Sequence, residues 1–146
     1  MNVVERLRGV DWGRYPVHVA VVHGSALRIN NPRDIDVLIV PSRPMSIDEE
    51  AELMKEIETA TGIEADLQII NAEDPDCVLL QRALETGRIL YLSGSEGAWA
   101  LAKLISLCYD YELMKRKLRY TETVLESALR HRSSRSSQWM RQCFAR

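Results

Sequence analysis

The pattern of apolar and polar residues along the chain predicts short buried strands that alternate with amphipathic helices. Compact β-branched runs bounded by glycine or proline are typical of strands buried on both faces. Strands are predicted over residues 17–22, 35–40, 66–70 and, at a sheet edge, 88–92. Apolar residues at helical spacing predict helices over residues 3–10, 47–61, 75–85 and about 97–130.

Polar residues and glycines mark where two of these helices begin and end. Ser46 followed by Glu49 is the pattern of a capping box, in which each residue satisfies a backbone N–H group of the other. Gly62 fits the position just past the end of the same helix. Asp74 and Pro75 predict the next helix start, with the aspartate as cap and the proline as first helical residue.

The stretch from about residue 97 to residue 130 contains no helix-breaking residue once it has begun. It is predicted to form either one long helix or two helices that break near residues 109–111. Its apolar face includes Trp99, Ala102, Ile105 and Tyr109 at helical spacing. We expect this helix to pack onto the sheet and to leave some apolar surface for a partner or a second copy of the chain.

These elements predict an α/β (α+β) fold: a small mixed β-sheet with flanking helices and a long C-terminal helical arm. A core over residues 1–95, a helical extension over 96–131 and a basic, flexible tail over 132–146 are the expected parts. At 146 residues the chain suits one domain, and it is long enough to bury a core without a metal or disulfide staple.

Charge and cysteine usage narrow the expected partners and compartment. The formal net charge is −2, which does not favour nucleic acid or an anionic membrane, although the arginines of the tail leave polyanion binding open. The sequence lacks a long apolar run and a signal-peptide pattern, so we expect a cytoplasmic protein. Cys77, Cys108 and Cys143 are widely spaced and odd in number, which predicts reduced thiols.

The candidate chemistry lies in acidic residues on two of the predicted strands. Asp34 and Asp36 are two residues apart on a strand, so their side chains project to the same side. Neighbouring carboxylates repel each other unless a cation lies between them, and oxygen ligands suit Mg²⁺. Asp66 would add a third carboxylate if its strand lies alongside, and two ions held there would suit phosphoryl chemistry. Glu64, its competitor, is expected to fall in the preceding turn.

A short loop supplies the candidate phosphate-binding groups. Gly24 would allow the backbone to approach a ligand closely, and Ser25 would offer a hydroxyl and exposed N–H groups to phosphate oxygens. Arg28 and Arg33 follow in the same loop and could balance polyphosphate charge. His23 is expected to be a packed residue at a strand end, with a nucleotide contact left as the alternative.

The run HGSALRINNPRDIDVLIV resembles the signature of the DNA polymerase β-like nucleotidyltransferase superfamily. With the later stretch EADLQII, the resemblance covers residues 17–92 and extends to the minimal nucleotidyltransferases of prokaryotes. It implies that Gly24 and Ser25 bind the β- and γ-phosphates of a nucleoside triphosphate and that Asp34 and Asp36 hold two Mg²⁺. Asp66 would bind the catalytic metal and help to deprotonate an acceptor hydroxyl.

The resemblance also implies a biological role. Many minimal nucleotidyltransferases are antitoxins that bind a HEPN-domain toxin and adenylylate a tyrosine on it. The expected function is therefore transfer of AMP from ATP to a hydroxyl of a protein acceptor, with a HEPN-type toxin as partner.

The loop departs from the family pattern in three places, one of which is Arg33, where a serine often precedes the aspartate pair. Ile29 stands where a glycine is common, and only residues 26–33 separate Ser25 from Asp34, a shorter interval than is usual. The alternative is therefore a weak or inactive nucleotidyltransferase fold that neutralises its partner by binding alone.

Overall fold

The chain folds around a four-stranded mixed sheet, seen in a computed structural model that describes residues 2–133. The sheet order is β3-β2-β1-β4, with β1 antiparallel to both β2 and β4, and with β2 parallel to β3. The strands are β1 (Val17–His23), β2 (Asp34–Pro41), β3 (Glu64–Ile69) and β4 (Arg88–Leu92). The predicted mixed sheet is confirmed, and β4 lies at an edge as expected.

In the described part of the chain, residues 2–133, four α-helices accompany the sheet. They are α1 (Val3–Arg8), α2 (Ile47–Thr61), α3 (Cys77–Thr86) and α4 (Gly94–Ser133). The predicted limits of α2 are confirmed: Ser46 and Glu49 form the capping box, and Gly62 ends the helix with a left-handed φ of 73°. α4 is one continuous helix, which decides between the two alternatives for that stretch.

Both faces of the sheet are covered, which explains why β1 and β2 are apolar on both sides. One core cluster contains Leu7 of α1 together with Leu53 and Ile57 of α2, all fully buried against the sheet. The second cluster contains Leu80 of α3 and Leu104 of α4 on the opposite face. The carboxyl end of β1 and the amino ends of β2 and β3 meet at one edge between these two layers.

The start of α3 differs from the prediction. Asp76, not Asp74, is the N-cap, and its side chain accepts a hydrogen bond of 3.1 Å from the backbone N–H of Leu79. Pro75 precedes this cap and is therefore outside the helix. Both aspartates are good capping residues, so the choice depends on where the chain leaves β3, which local sequence does not encode.

The face of α4 that packs on the sheet also differs from the prediction. Leu104 and Cys108 are buried and Leu101 packs beside them, whereas Trp99 is 65% exposed and Ile105 is 46% exposed. Both sets have helical spacing, so periodicity alone did not separate them. Gly97 fixes the choice, because a Cβ atom there would lie 2.6 Å from the backbone oxygen of His18.

The expectation of reduced thiols is wrong for two of the three cysteines. Cys77 at the start of α3 and Cys108 on α4 form a disulfide, with Cα atoms 5.3 Å apart. They are 31 residues apart in sequence, so no local motif predicts that these two cysteines pair. Cys143 lies outside the described residues.

The chain divides into two compact units, the first from Met1 to Cys108 and the second beginning at Tyr109. The domain limits expected at residues 95 and 131 stay predictions. Among residues 2–133, no helix has the length and apolar character needed to cross a bilayer. The tail beyond residue 133, including most of the predicted basic segment, lies outside the described residues.

Candidate active site

Acidic side chains from β2 and β3 lie side by side at the end of the sheet where both strands begin, which forms the acidic edge of the sheet. The parallel register pairs Asp34 with Glu64 and Asp36 with Asp66. Residues paired in this way on adjacent strands project from the same face. The condition set by the sequence, that Asp66 lies in register beside the aspartate pair, is therefore met. Glu64 is the first residue of β3 rather than part of a turn, which corrects the expectation for it.

The charge environment of Asp36 shows how this edge behaves. Burial raises the pKa of the Asp36 carboxyl above its ordinary value, and the nearby charge of His23 opposes that shift. The like charges of Asp34 and Asp66 raise the same pKa further. The edge therefore concentrates negative charge on a half-buried carboxylate, and a cation bound there would relieve it.

The donor set fits a hard divalent cation in its chemistry. Carboxylate oxygens are the ligands that Mg²⁺ prefers, and three aspartates share one sheet edge. Within residues 2–133, however, no three His, Cys, Asp or Glu side chains lie close enough to form a ready-made ligand set. Asp34, Asp36 and Asp66 would have to turn toward a common ion, as mutually repelling carboxylates do when a cation joins them.

The backbone turns tightly over Asp36 directly after β1. Gly24 has a φ of +82°, and a Cβ atom added there would lie 2.7 Å from Oδ2 of Asp36. A short 3₁₀ helix covers Gly24–Leu27. Glycine is required at position 24 because φ is positive and because a Cβ atom would be too close to the Asp36 carboxylate. The conformation of this turn and the position of Asp36 on β2 therefore depend on each other.

The rest of the loop carries the expected polar groups on its surface. Ser25 is exposed, and its carbonyl oxygen accepts hydrogen bonds of 2.9 and 3.1 Å from the backbone N–H groups of Arg28 and Ile29. Arg28 and Arg33 are exposed, and neither side chain has a hydrogen-bond or ion-pair partner within residues 2–133. Both guanidinium groups are available to an anion.

The sequence of residues 13–96, more than half of the chain, matches the family described as "Polymerase beta, Nucleotidyltransferase". The chain belongs to this nucleotidyltransferase family. The resemblance read from the Gly-Ser and Asp-x-Asp residues is thereby confirmed at the level of the family. No curated protein matches the sequence significantly.

Solved structures that resemble this nucleotidyltransferase include chains of toxin–antitoxin complexes. One is a toxin–antitoxin structure with AMP-PNP, at 18% identity and a TM-score of 0.53, covering 84% of this chain and 95% of that chain. Another is a tri-AMPylated Shewanella oneidensis HEPN toxin in complex with MNT antitoxin, at 18% identity and a TM-score of 0.50, covering 84% and 92%. At these identities the likeness concerns the fold.

Two residues of the site were missed or discounted by sequence reasoning. Glu64 pairs with Asp34, and the signal for it was its spacing of two residues from Asp66 on the same strand. His23 is 5% exposed and is the register partner of Asp36 on β1. The antiparallel pairing that puts His23 beside Asp36 is a long-range feature, and no local pattern in this nucleotidyltransferase encodes it.

Proposed function

We propose that this nucleotidyltransferase transfers AMP from ATP to a hydroxyl group of a protein acceptor in a Mg²⁺-dependent reaction. The observation that carries the proposal is the juxtaposition of the Asp36–Asp66 pair with the Gly24 turn at one sheet edge. Acidic metal ligands beside an exposed backbone turn are what a triphosphate with bound cations requires.

The three aspartates would divide metal binding and proton transfer between them. Asp34 and Asp36 would hold two Mg²⁺ ions, with Asp66 as a third ligand for one of them. Bound Mg²⁺ neutralises phosphate charge and stabilises the attacking and leaving oxygens of a displacement. Asp66 would also accept the proton of the acceptor hydroxyl as that oxygen attacks the α-phosphorus and pyrophosphate leaves.

The loop would bind the remaining phosphates. Ser25 offers its hydroxyl and backbone N–H to the β- and γ-phosphate oxygens, and Gly24 keeps that backbone close to the carboxylates. Arg28 and Arg33 would supply positive charge to the same phosphates.

We further propose that the acceptor is a HEPN-type toxin and that the chain acts as its antitoxin. In support, one similar solved structure is a tri-AMPylated HEPN toxin in complex with MNT antitoxin, and another is a toxin–antitoxin structure with AMP-PNP. In the unit that begins at Tyr109, apolar side chains at spacings of three, four, seven and four residues share one face of α4. They are between 46% and 61% exposed: Tyr111, Met114, Leu118, Leu125 and Leu129.

A second candidate is a binding module that neutralises its partner without turnover. The short interval of residues 26–33 favours it, as does Ile29, which is 52% exposed where the family pattern has glycine. A binding module needs the apolar face of α4 and does not need the carboxylates. The two candidates therefore differ in what Asp34 and Asp36 contribute.

The test follows label from α-labelled ATP onto a co-purified partner protein. The double variant Asp34→Asn and Asp36→Asn removes two carboxylates with little change in size, and we expect it to abolish transfer. The matched control is Asp74→Asn, an exposed carboxylate in the loop after β3, which should transfer label normally. Undiminished transfer of label by the double variant would contradict the proposed chemistry. Partner binding without any transfer by the natural chain would favour the binding module.

A further inference from the structure

A partly buried hydrogen bond crosses the strand that carries two of the proposed metal ligands. Nε2 of His23 on β1 lies 2.6 Å from Oε1 of Gln68 on β3, and the histidine is 5% exposed. β2 lies between these two strands. Neighbouring strands lie about 4.8 Å apart, so the backbones of β1 and β3 are roughly 10 Å apart. A histidine side chain and a glutamine side chain together can span that distance.

The register locates this bond relative to the carboxylates. His23 pairs with Asp36, and Gln68 pairs with Leu38, so the bond runs diagonally over β2 between these two positions. The two residues that form the bond lie next to the Gly24 turn and near Asp66. His23 directly precedes Gly24, and Gln68 is two residues from Asp66 on the same strand face.

The position of β3 gives the bond a specific task. Within residues 2–133, β3 is an edge strand that pairs with β2 alone, so β2 is the strand that fixes the distance of Asp66 from Asp36. The Gly24 turn approaches Asp36 from the other side. The bond from His23 to Gln68 connects the residue that precedes the turn to the strand that carries Asp66.

We infer that His23 and Gln68 form a positioning pair that fixes the Gly24 turn and Asp66 about Asp36, in an inference that rests on the proposed function. Neither residue need touch the substrate. Partners that orient metal ligands contribute to metal affinity, and their loss commonly weakens binding by about 10- to 100-fold.

The same strand provides a matched control pair. Nδ1 of His18 lies 2.9 Å from Oγ of Ser93, in a second histidine hydrogen bond made from β1. His18 is near the opposite end of the strand from the carboxylates. Breaking either bond removes a comparable side-chain contact, but only the His23 bond adjoins the proposed metal ligands.

The experiment is a pair of double-mutant cycles on the full chain, with Mn²⁺ affinity from calorimetry and melting temperature as the two readouts. One cycle uses His23→Leu and Gln68→Met, and the other uses His18→Leu and Ser93→Ala. Asp36→Asn identifies the heat that belongs to the carboxylate site. We expect roughly 10-fold weaker Mn²⁺ binding in each His23 or Gln68 variant and no further loss in the double variant.

The control cycle should change melting temperature while leaving Mn²⁺ affinity unchanged. His23→Gln keeps an N–H donor on a flexible side chain and should recover part of the affinity, including in a case where His23→Leu folds poorly. Unchanged affinity in the His23 and Gln68 variants, or equal affinity losses in both cycles, would overturn the positioning pair. A natural chain that binds no Mn²⁺ at Asp36 would contradict the proposed metal site itself as well as the pair.

Discussion

At Gly24 the backbone lies so close to the Asp36 carboxylate that a side chain cannot be added without displacing that carboxylate. The contact would be 2.7 Å to Oδ2, the mobile end of the Asp36 side chain. The carboxylate can swing away at small cost to folding, but only by leaving its place in the proposed metal site. At this residue, stability and function can therefore be separated by experiment.

Gly24→Ala and Gly62→Ala form a matched pair for that purpose. Both glycines have positive φ, +82° and +73°, but an added Cβ at Gly62 meets nothing within 4 Å. We expect each variant to lose about 1–2 kcal/mol of unfolding free energy, the cost of a left-handed alanine. Only Gly24→Ala should also lose AMP transfer and Mn²⁺ affinity. Equal activity in both variants would show that the turn does not depend on Asp36.

The residue-level predictions succeeded where the chemistry is local and stopped where it is long-range. Asp34 and Asp36 share a strand face because of their spacing, and sequence shows that directly. The pairing of Asp36 with Asp66 could be stated only as a condition, because parallel register depends on how α2 returns the chain to β3. The burial of His23 against Gln68 depends on three strands at once, so no window of sequence reveals it.

Among the elements, α2 was the most predictable because its two ends are encoded in sequence. Ser46 and Glu49 exchange hydrogen bonds of 3.1 Å at its start, and Gly62 ends it. The start of α3 and the packed face of α4 were mispredicted, since two aspartates and two apolar stripes were equally suitable locally. Packing against the sheet determines which aspartate caps α3 and which face of α4 is buried.

The capping box of α2 makes a prediction about acid stability. The ion pair with Arg43, at 2.8 Å, and the Ser46 backbone N–H lower the pKa of Glu49 from 4.5 to about 2. A lowered folded-state pKa contributes stability that is present above pH 4.5 and is lost as pH falls toward 2. Glu49→Gln should therefore melt below the natural chain at pH 7, with the gap closing between pH 4.5 and 2. A gap that is independent of pH would contradict the role of the charge.

The Cys77–Cys108 disulfide links α3 to α4 and should stabilise the first unit. Closing a loop of 31 residues in the unfolded chain is worth about 4 kcal/mol on the chain-entropy account. Cys77→Ser should lower the melting temperature under non-reducing conditions and make it insensitive to reductant. Cys143→Ser serves as the control and should keep the reductant response. If all three cysteines of the chain react with a thiol reagent before reduction, the bridge is absent.

For the whole molecule, the first unit contains the complete proposed site and the second presents an apolar helix face. The overall α/β architecture followed from hydrophobic patterning, and the family followed from the combined Gly-Ser and Asp-x-Asp residues. The expected HEPN-type partner followed only from the family resemblance, because an exposed apolar stripe indicates that something binds without naming it.

The proposal that the apolar stripe binds a partner can be tested by introducing charged side chains into it. Leu118 and Leu125 are 61% and 49% exposed, so Leu118→Glu with Leu125→Glu should cost the isolated chain little stability. We expect the double variant to lose binding of the proposed HEPN-type partner and to keep Mn²⁺ binding at the carboxylates. Glu122→Gln, an exposed position between them, is the control. A shift from dimer to monomer with the partner still bound would assign the stripe to a second copy of the chain.

The central claim is nucleotidyl transfer at the Asp34, Asp36 and Asp66 edge, and the position of a radioactive label in ATP tests it most directly. Parallel reactions of the natural chain and its partner receive α-labelled or γ-labelled ATP in the presence of Mg²⁺. The account predicts label on the partner from α-labelled ATP alone, with the γ-label released as pyrophosphate. Protein labelled from γ-labelled ATP, or from neither nucleotide, would contradict it.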